Sequence, residues 1–351
     1  MKRLLLATTM LAASAGLAHA QAVTITGEGR MGILFESISA LGASASGWAQ
    51  ENRLVLNFNV QVQADHGLTF GGHSRVQIEN GSVGRFSGSH IFVEASGFRL
   101  SFGNLDGAII SAGVAGGYPG CGIGYVGGHY CGDSAGLVGL FFIGLNSPIA
   151  LPNNGVLQTA QAQEFDYTGG GAPARLRVDY SFGNTNLALS HDRGGSTELG
   201  VNTTFDAFTV ALGYSNRVAI TVLDGTGGLE GLLVPGNVLT LSGRYDGGTW
   251  GLGLLVARMS YSAPLGVFSH TNYALSGSVE LGGGNLYAYV GRVHHAGILG
   301  RNPYTTAGVS YGYGLGGGAT LTVGVETMSG DLVPGLRVRY TSASVGVAFN
   351  F

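Results

Sequence analysis

The sequence predicts an all-β protein, a 16-stranded antiparallel transmembrane β-barrel formed by residues 21–351 after a leader at residues 1–20. Three observations predict it. Apolar and polar residues alternate with a period of two along most of the chain. Short glycine-rich turns alternate with longer polar connections. Arginines fall mainly on the polar side of this alternation, which places water on one face of each strand and lipid on the other.

The composition excludes several other classes of protein. Of the 351 residues, 64 are Gly and 8 are Pro, and no Gly-X-Y repeat is present, so the chain is no collagen. Charged residues make up 11%, against roughly 25% in an average soluble domain. A hydrophobic content of 45% argues against intrinsic disorder. A formal net charge of -3, without a basic patch, predicts no nucleic-acid binding.

The first twenty residues have the pattern of a secretory signal peptide. Lys2 and Arg3 give it a positive start, Leu4–Leu17 form its apolar stretch, and an A-x-A cleavage site ends at Ala20. The mature chain is therefore expected to begin at Gln21 and to be exported.

Two classes of exported protein fit the rest of the chain. The longest apolar run beyond the leader is Leu137–Leu145, which is shorter than the roughly 20 residues of a membrane helix. The chain is then either a soluble secreted or periplasmic β-sandwich or a membrane β-barrel, which crosses lipid without helices. The predicted strands of about 9–15 residues favour the barrel, because sandwich strands are usually about 5–6 residues long.

The alternation is clearest in the second predicted strand and at the C-terminus. One face carries Leu54, Leu56, Phe58, Val60 and Val62, and the residues between them are mostly polar. The same alternation ends the chain at Phe349 and Phe351. No stretch has a convincing helical stripe.

The spacing of turns and connections gives the strand count. Strict alternation of seven turns with eight connections joins an even number of strands, sixteen, as in bacterial outer-membrane barrels. The turns lie near 65–67, 95–97, 183–184, 206–207, 246–248, 282–284 and 316–318. The connections lie near 36–50, 80–86, 104–172, 194–196, 218–235, 262–268, 295–303 and 329–336.

The arginines predict which face meets lipid. An arginine in contact with lipid at the bilayer midplane costs roughly 2–4 kcal/mol, so the face that carries arginine must look into a water-filled lumen. Nine arginines are assigned to that polar face: Arg30, Arg53, Arg75, Arg99, Arg175, Arg177, Arg244, Arg337 and Arg339.

Three segments resemble the Gram-negative general diffusion porins, especially the alphaproteobacterial type. The segment Ala22–Gly32 is similar to the first porin strand, and Gly97–Asn104 is similar to the fifth strand where it enters loop 3. The segment Val345–Phe351 resembles the terminal strand. Together they extend over the mature chain.

The resemblance implies a barrel with an inward-folded constriction loop 3, usually a homotrimer, among the lipids of the outer membrane of a Gram-negative bacterium. It implies passive diffusion of small hydrophilic solutes and ions, without a cofactor. It also implies that the outer-membrane assembly machinery recognises the C-terminal Phe351. A substrate-specific channel and a structural or adhesive barrel remain the alternatives.

The resemblance places the pore constriction between loop 3, at residues 104–172, and a basic wall. Several inward arginines lie about eight residues from the nearest turn, near mid-height of the barrel. The alternative is ordinary solvation of a polar lumen. The predicted basic wall consists of Arg30, Arg53, Arg75, Arg99 and Arg175, and the predicted acidic residues of loop 3 are Asp106, Asp133, Glu164 and Asp166.

Both cysteines lie inside loop 3. Since the chain crosses an oxidising periplasm, a disulfide between Cys121 and Cys131 is expected. It would stabilise the fold by roughly 2–3 kcal/mol in the chain-entropy model. Free thiols, or a metal site with His129 and Asp133, are the alternatives.

No pattern in the sequence predicts catalysis. Although His191, Asp192 and Ser196 lie close together in sequence, adjacency does not make a site, and no G-x-S-x-G motif is present. The G-x-G-x-x-G match at residues 122–127 does not open a predicted helix. The neighbouring His294 and His295 are interpreted as a solvated loop pair rather than a metal site. The sequence therefore predicts a protein that is not an enzyme.

Overall fold

The computed structural model describes residues 22–40, 43–64, 66–79, 84–112, 175–223, 229–263, 266–297, 300–333 and 336–351. The predicted leader at residues 1–20 therefore lies outside the described residues. The strands of the first half are β1 Ala22–Ala40, β2 Ala43–Gln63, β3 Thr69–Glu79, β4 Arg85–Ala95, β5 Phe98–Gly103, β6 Arg175–Phe182, β7 Thr185–Asp192 and β8 Thr197–Phe205. Those of the second half are β9 Phe208–Leu223, β10 Leu229–Asp246, β11 Trp250–Ala263, β12 Gly266–Leu281, β13 Gly284–Gly297, β14 Gly300–Gly316, β15 Ala319–Val333 and β16 Leu336–Asn350.

The strands form one closed antiparallel barrel in which each strand pairs with its sequence neighbours. The barrel closes where β1 pairs with β16. This pairing begins at Glu28 opposite Asn350 and ends at Ala40 opposite Val338. A closed barrel leaves no unpaired strand edge. A sheet can cross lipid only in this form, because lipid offers no hydrogen-bond partners to free backbone groups. The predicted 16-stranded barrel is confirmed.

All seven predicted turns join consecutive strands where the sequence places them. At the turn between β4 and β5, Ser96 and Gly97 both have positive φ, at 51° and 83°. A two-residue hairpin turn of type I′ requires this backbone, because its twist matches that of the strands. The small, turn-forming residues therefore define one end of the barrel.

The connections predicted at 80–86, 104–172 and 194–196 lie between consecutive strands, but the other five are wrong. Most of the residues assigned to them continue the strands: β1 extends to Ala40 and β2 begins at Ala43, although the sequence predicts a connection at 36–50. The physical reason is that strands extend beyond the lipid, where both faces meet water and the apolar alternation fades while the backbone pairing continues. The connection after β5 is the long one, as predicted.

The strand faces follow the predicted orientation. Leu54 and Val60 of β2 are 37% and 46% exposed on the outer surface, and Val345 of β16 is 45% exposed. Their inward neighbours include Arg53 and Asn59, which pair across the sheet with Arg30 and Thr24 on β1. Lipid therefore meets the apolar face, and the polar face lines the lumen.

Two arginines were assigned to the wrong face. Arg337 and Arg339 share the outward parity of Val345 on β16 and are exposed. They lie near the end of β16 that is far from the turns, where an outward arginine reaches headgroups or water and costs only about 0–1 kcal/mol. Arg258 and Arg292, whose face the sequence leaves open, are also outward and exposed.

The strands divide the barrel into two walls. The short-strand wall, β3–β8, has strands of 6–11 residues. The tall-strand wall, β9–β16 continued by β1 and β2, has strands of 14–21 residues.

A one-turn helix follows the short strand β5 and was missed by the sequence analysis. Helix α1, Ala108–Ser111, packs on the inward face of β7, β8 and β9. A single turn is too short for a helical stripe to show in the sequence. Among the described residues, no helix is both long and apolar enough to span a membrane.

Candidate functional site

The start of loop 3 lies inside the barrel because small residues make room for it. A Cβ added at Gly200 of β8 would lie 2.7 Å from the Ala112 Cβ, and one added at Gly213 of β9 would lie 3.0 Å from side-chain carbons of Ile109. Ala112 and Ile109 are fully buried together with Ala211. The two glycines therefore form a seat for α1 on the lumen face of the sheet.

Hydrogen bonds to buried side chains fix both ends of α1. The Ala108 N–H donates to the Ser190 Oγ at 3.0 Å, and the Ile109 N–H donates to the Glu198 Oε2 at 3.3 Å. At the other end, the Asn202 Nδ2 donates to the Ala112 carbonyl at 2.6 Å. Without these bonds, the free backbone groups of the helix ends would be buried without partners.

Arg175 is inward, as its parity predicts, but it is not an exposed part of a basic wall. It is 3% exposed, and its Nη1 donates to the Leu105 carbonyl at 2.9 Å. Its Nη2 donates to the Asp192 Oδ2 at 3.2 Å and lies 3.9 Å from the Glu198 Oε1. Arg175 therefore joins the root of loop 3 to two buried carboxylates, a role that depends on contacts the sequence alone does not reveal.

A second charged group lies beside the first on the inward face of β6. The Arg177 Nε donates to the Asp179 Oδ2 at 2.9 Å, and its Nη1 donates to the Asp106 carbonyl at 2.7 Å. The Ser111 hydroxyl donates to the Asp179 Oδ1 at 2.6 Å. Asp179 pairs in register with Arg99 on β5. These residues connect loop 3 to the pore wall through charges of both signs.

The remaining predicted arginines lie on the same inward face. Arg99 stacks on the Phe92 ring, 3.6 Å from its centre, and lies 3.8 Å from Glu94. Arg53 lies 3.1 Å from Glu28, which is also 3.8 Å from Arg30.

Arg75 completes the predicted set at an inward position of β3. It pairs in register with Asn57 on β2 and with Ser87 on β4. Four of the five predicted arginines thus line the lumen beside acidic or polar neighbours, and Arg175 is buried against the root of loop 3.

One predicted acidic residue of loop 3, Asp106, lies in the described part, and its backbone contacts Arg177. The other three, Asp133, Glu164 and Asp166, lie outside the described residues, as do Cys121 and Cys131.

A recess of the lumen, about 530 Å³ in volume, lies beside α1. Glu94, Arg99, Arg177, Asp179 and Asn186 contribute its polar lining. Hydrated ions and small polar solutes can therefore approach both positive and negative side chains at this level of the lumen.

The sequence analysis missed Glu94, Asp192 and Glu198 as members of the site. The alternation of apolar and polar residues places Glu94 and Glu198 on the inward face and could have identified them. The burial of Glu198 comes from α1, which the sequence does not reveal. In the sequence Asp192 stands out only as a neighbour of His191 and Ser196. The two side chains point to opposite faces of β7, since His191 is exposed and Asp192 is fully buried.

A closed barrel with lipid outside and a charged, water-accessible lumen is a transmembrane channel. Residues 7–331 match the family model of the Gram-negative porins, so the chain belongs to the Gram-negative porin family. This confirms the resemblance, and the protein is an outer-membrane porin that crosses that membrane with many strands.

Solved porin structures share the fold. A variant of the Rhodopseudomonas blastica porin with five substitutions has a TM-score of 0.60 at 17% identity, covering 94% of this chain and 100% of that chain. A triple variant of the same porin has a TM-score of 0.59 at 18% identity over the same shares of the two chains. No curated protein matches this chain in sequence.

Proposed function

We propose that this porin is a general diffusion channel with weak preference among small hydrophilic solutes and ions, and that it is not an enzyme. The observation that carries the proposal is the interleaving of charges on the lumen face, where Arg99 lies beside Glu94 and Arg177 beside Asp179. Mixed signs attract water and polar solutes without strongly favouring one sign of ion.

The basic wall is proposed to set the small preference that remains. Its lumen-facing members Arg30, Arg53 and Arg75 would oppose Asp106 together with the predicted acids Asp133, Glu164 and Asp166. In this arrangement the wall and loop 3 create a transverse field across the opening.

Reversal potentials in planar bilayers under a salt gradient test this proposal. Replacing Arg30, Arg53 and Arg75 by Ala should shift the preference towards cations, whereas replacing the outward Arg258 and Arg292 by Ala should not. Equal shifts of the reversal potential in the two variants would contradict the assignment of Arg30, Arg53 and Arg75 to the basic wall. Absence of stepwise conductance together with hydrolytic activity would contradict both the channel and the non-enzyme proposal.

A homotrimer is proposed to form through the short-strand wall. A membrane-spanning strand needs about 9–11 residues, but β5, β6 and β7 have 6, 8 and 8. Their outer face is apolar and aromatic, as shown by Phe98 and Tyr180, whose ring centres are 4.4 Å apart. Covering this face with a neighbouring subunit removes the mismatch between short strands and lipid.

Photocrosslinking tests the proposed interface. Benzoylphenylalanine at Phe102 on the outer face of β5 should crosslink one subunit to another, and the same group at Leu254 on β11 should not. Crosslinks from Leu254 alone would move the interface to the tall-strand wall.

The C-terminal Phe351 is proposed as the residue that the assembly machinery recognises. In the folded barrel its N–H donates to the Gly27 carbonyl at 3.0 Å, and the Gly27 N–H donates back at 2.8 Å. A Cβ at Gly27 would clash with the Phe351 ring, so glycine leaves room for the aromatic side chain. Deleting Phe351 should lower the amount of assembled barrel in the outer membrane, while Gly314→Ala, at a strand glycine with open space around its Cβ, should not.

Two predicted covalent features remain to be tested in the same way. N-terminal sequencing of the mature protein should begin at Gln21 if residues 1–20 are a signal peptide. Mass spectrometry of the unreduced protein should recover Cys121 and Cys131 in one linked peptide if they form a disulfide.

A further inference from the structure

Two histidines lie side by side on the lumen face of the short-strand wall. His73 of β3 and His90 of β4 are paired in register across the sheet. Their ring centres are 5.3 Å apart and their planes are inclined by 34°. The channel function proposed above makes no use of them.

Both rings form a hydrogen bond to an acceptor through Nδ1. The His73 Nδ1 lies 2.8 Å from the Asn59 Oδ1, and the His90 Nδ1 lies 2.9 Å from the Gly88 carbonyl. Because both partners accept, each Nδ1 carries the proton, and the lone pair of each neutral ring is on Nε2. Fixing the tautomer with an Nδ1–H donor is the arrangement that metal-binding histidines ordinarily have.

The spacing of the rings fits a shared metal ion. Two imidazoles bound to one tetrahedral ion at the usual metal–nitrogen distance have ring centres roughly 5.2 Å apart. The observed separation therefore matches two ligands of one ion. Neutral imidazole is a ligand for Zn²⁺, Cu²⁺ and Ni²⁺, whereas Ca²⁺ and Mg²⁺ prefer oxygen.

The surroundings allow the remaining ligands to be water. A recess of about 410 Å³, lined among others by Thr24, Asn59 and Gln61, lies in front of the two rings. Among the described residues, no group of three or more His, Cys, Asp and Glu side chains could hold a metal, so the site has two protein ligands.

The local charge balance sets a limit on the affinity. The nearby Arg99 and Arg177 are paired with Glu94 and Asp179, at 3.8 and 2.9 Å, which reduces their repulsion of a cation. Arg75 is two residues from His73 on the same face and opposes cation binding. With two protein ligands and this neighbour, micromolar rather than nanomolar binding is expected.

We propose that His73 and His90 bind one divalent transition-metal ion through their Nε2 atoms, on the pore wall at the root of loop 3. Gly103, the last residue of β5, pairs in register with His90, and a Cβ added there would lie 2.9 Å from the His90 Cβ. An ion bound here adds positive charge to the lumen where loop 3 leaves the wall, and it should lower the open-channel current.

Calorimetry with ZnCl₂ tests binding on the full-length mature porin in detergent. Both cysteines are replaced by Ser so that no thiol competes. One saturable site per subunit is expected, and His73→Gln or His90→Gln should each raise the Kd at least about tenfold. The control His191→Gln removes an exposed histidine on the outer face and should leave the Kd unchanged.

A second control addresses His270 and His295, which are also paired in register between two neighbouring strands. The variant His270→Gln with His295→Gln should retain the site. Binding that survives in the His73→Gln/His90→Gln variant, or that is lost in this control, would overturn the proposal.

Electron paramagnetic resonance and conductance give independent readouts. Cu²⁺ should show hyperfine coupling to two imidazole nitrogens in the parent protein and to one in each single variant. The current block by Zn²⁺ relies on the proposed channel function, whereas calorimetry and resonance do not. A conducting porin that binds no Zn²⁺ at millimolar concentration would therefore refute the metal site and leave the channel function intact.

Discussion

The short-strand wall and the tall-strand wall share one lumen, yet they hold different inward residues. The short-strand wall carries the buried ion pairs that hold the root of loop 3, which involve Arg175, Asp192 and Glu198, and the Arg177–Asp179 pair beside them. The tall-strand wall has buried inward residues such as Ser276, Ser310, Thr322 and Tyr289, and its ion pairs join Glu28 to Arg30 and Arg53 on β1 and β2.

The difference shows that the fully buried ion pairs of this barrel lie at the root of loop 3, whereas the pairs of Glu28 with Arg30 and Arg53 are partly exposed to the lumen. Loop 3 leaves the wall after Gly103 and returns at Arg175, so its root lies against the short strands. Its backbone groups and the carboxylates they contact need partners inside the barrel, and arginines provide them. The tall strands need only a polar lumen face and an apolar lipid face.

The largest expected effect is on the buried charges of the short-strand wall. Arg175→Met leaves Asp192 and Glu198 buried without their cation and should lower the free energy of unfolding by about 3–5 kcal/mol, measured by urea titration in phospholipid vesicles. Adding Glu198→Gln should recover part of the loss. The matched change Arg292→Met, outward on the tall-strand wall, should have little effect. A loss of similar size in Arg292→Met would erase the contrast between the walls.

The next effect concerns the outer faces. Leu254→Arg on the tall-strand wall puts a charge into lipid and should lower the free energy of unfolding in vesicles by roughly 2–4 kcal/mol. Leu100→Arg on the short-strand wall should instead yield monomers, because that face is proposed to contact another subunit. Light scattering in detergent measures the subunit number. Trimers in Leu100→Arg would show that both walls face lipid.

A smaller effect is expected from filling the seat of α1. Gly200→Val places carbon atoms where Ala108 and Ala112 lie, and it should lower the free energy of unfolding by about 1–3 kcal/mol. Gly243→Val is the control, because open space surrounds that strand glycine of the tall-strand wall. Urea titrations of the two variants should differ; identical midpoints would show that α1 is not seated on Gly200.

The smallest effect is on ion preference. Arg99→Gln removes a lumen charge and leaves Glu94, so the permeability ratio of cations to anions should rise by about twofold, as expected for a partly exposed pair worth about 0.2–1 kcal/mol. Reversal potentials measure the ratio, with the outward Arg258→Gln as control. A fall in the ratio would reverse the sign assigned to this part of the lumen.

Much of the barrel was predictable because lipid and hydrogen bonding leave few choices. The seven turns and the outward positions of Leu54 and Val345 follow from local chemistry and a two-residue period. The strand ends were not predictable in this way. At Arg337 and Arg339 the polar residues extend beyond the lipid, so parity and polarity no longer correspond.

The site was predictable only as a set of inward positions. Parity identified Arg99 and Arg175 as inward, but nothing local to Arg175 indicates that Leu105, Asp192 and Glu198 enclose it. Their sequence separations from Arg175 extend to 70 residues. Contacts of this kind exist only once the barrel has closed.

The sequence by itself determined the barrel, its strand count and which face meets lipid, because every strand must satisfy its backbone bonds and place apolar side chains in the bilayer. Only the tertiary structure decided that Arg175 is buried while Arg99 remains at the lumen, and that His73 and His90 face each other. Such pairings depend on strand register and on where loop 3 folds, which distant parts of the chain fix together.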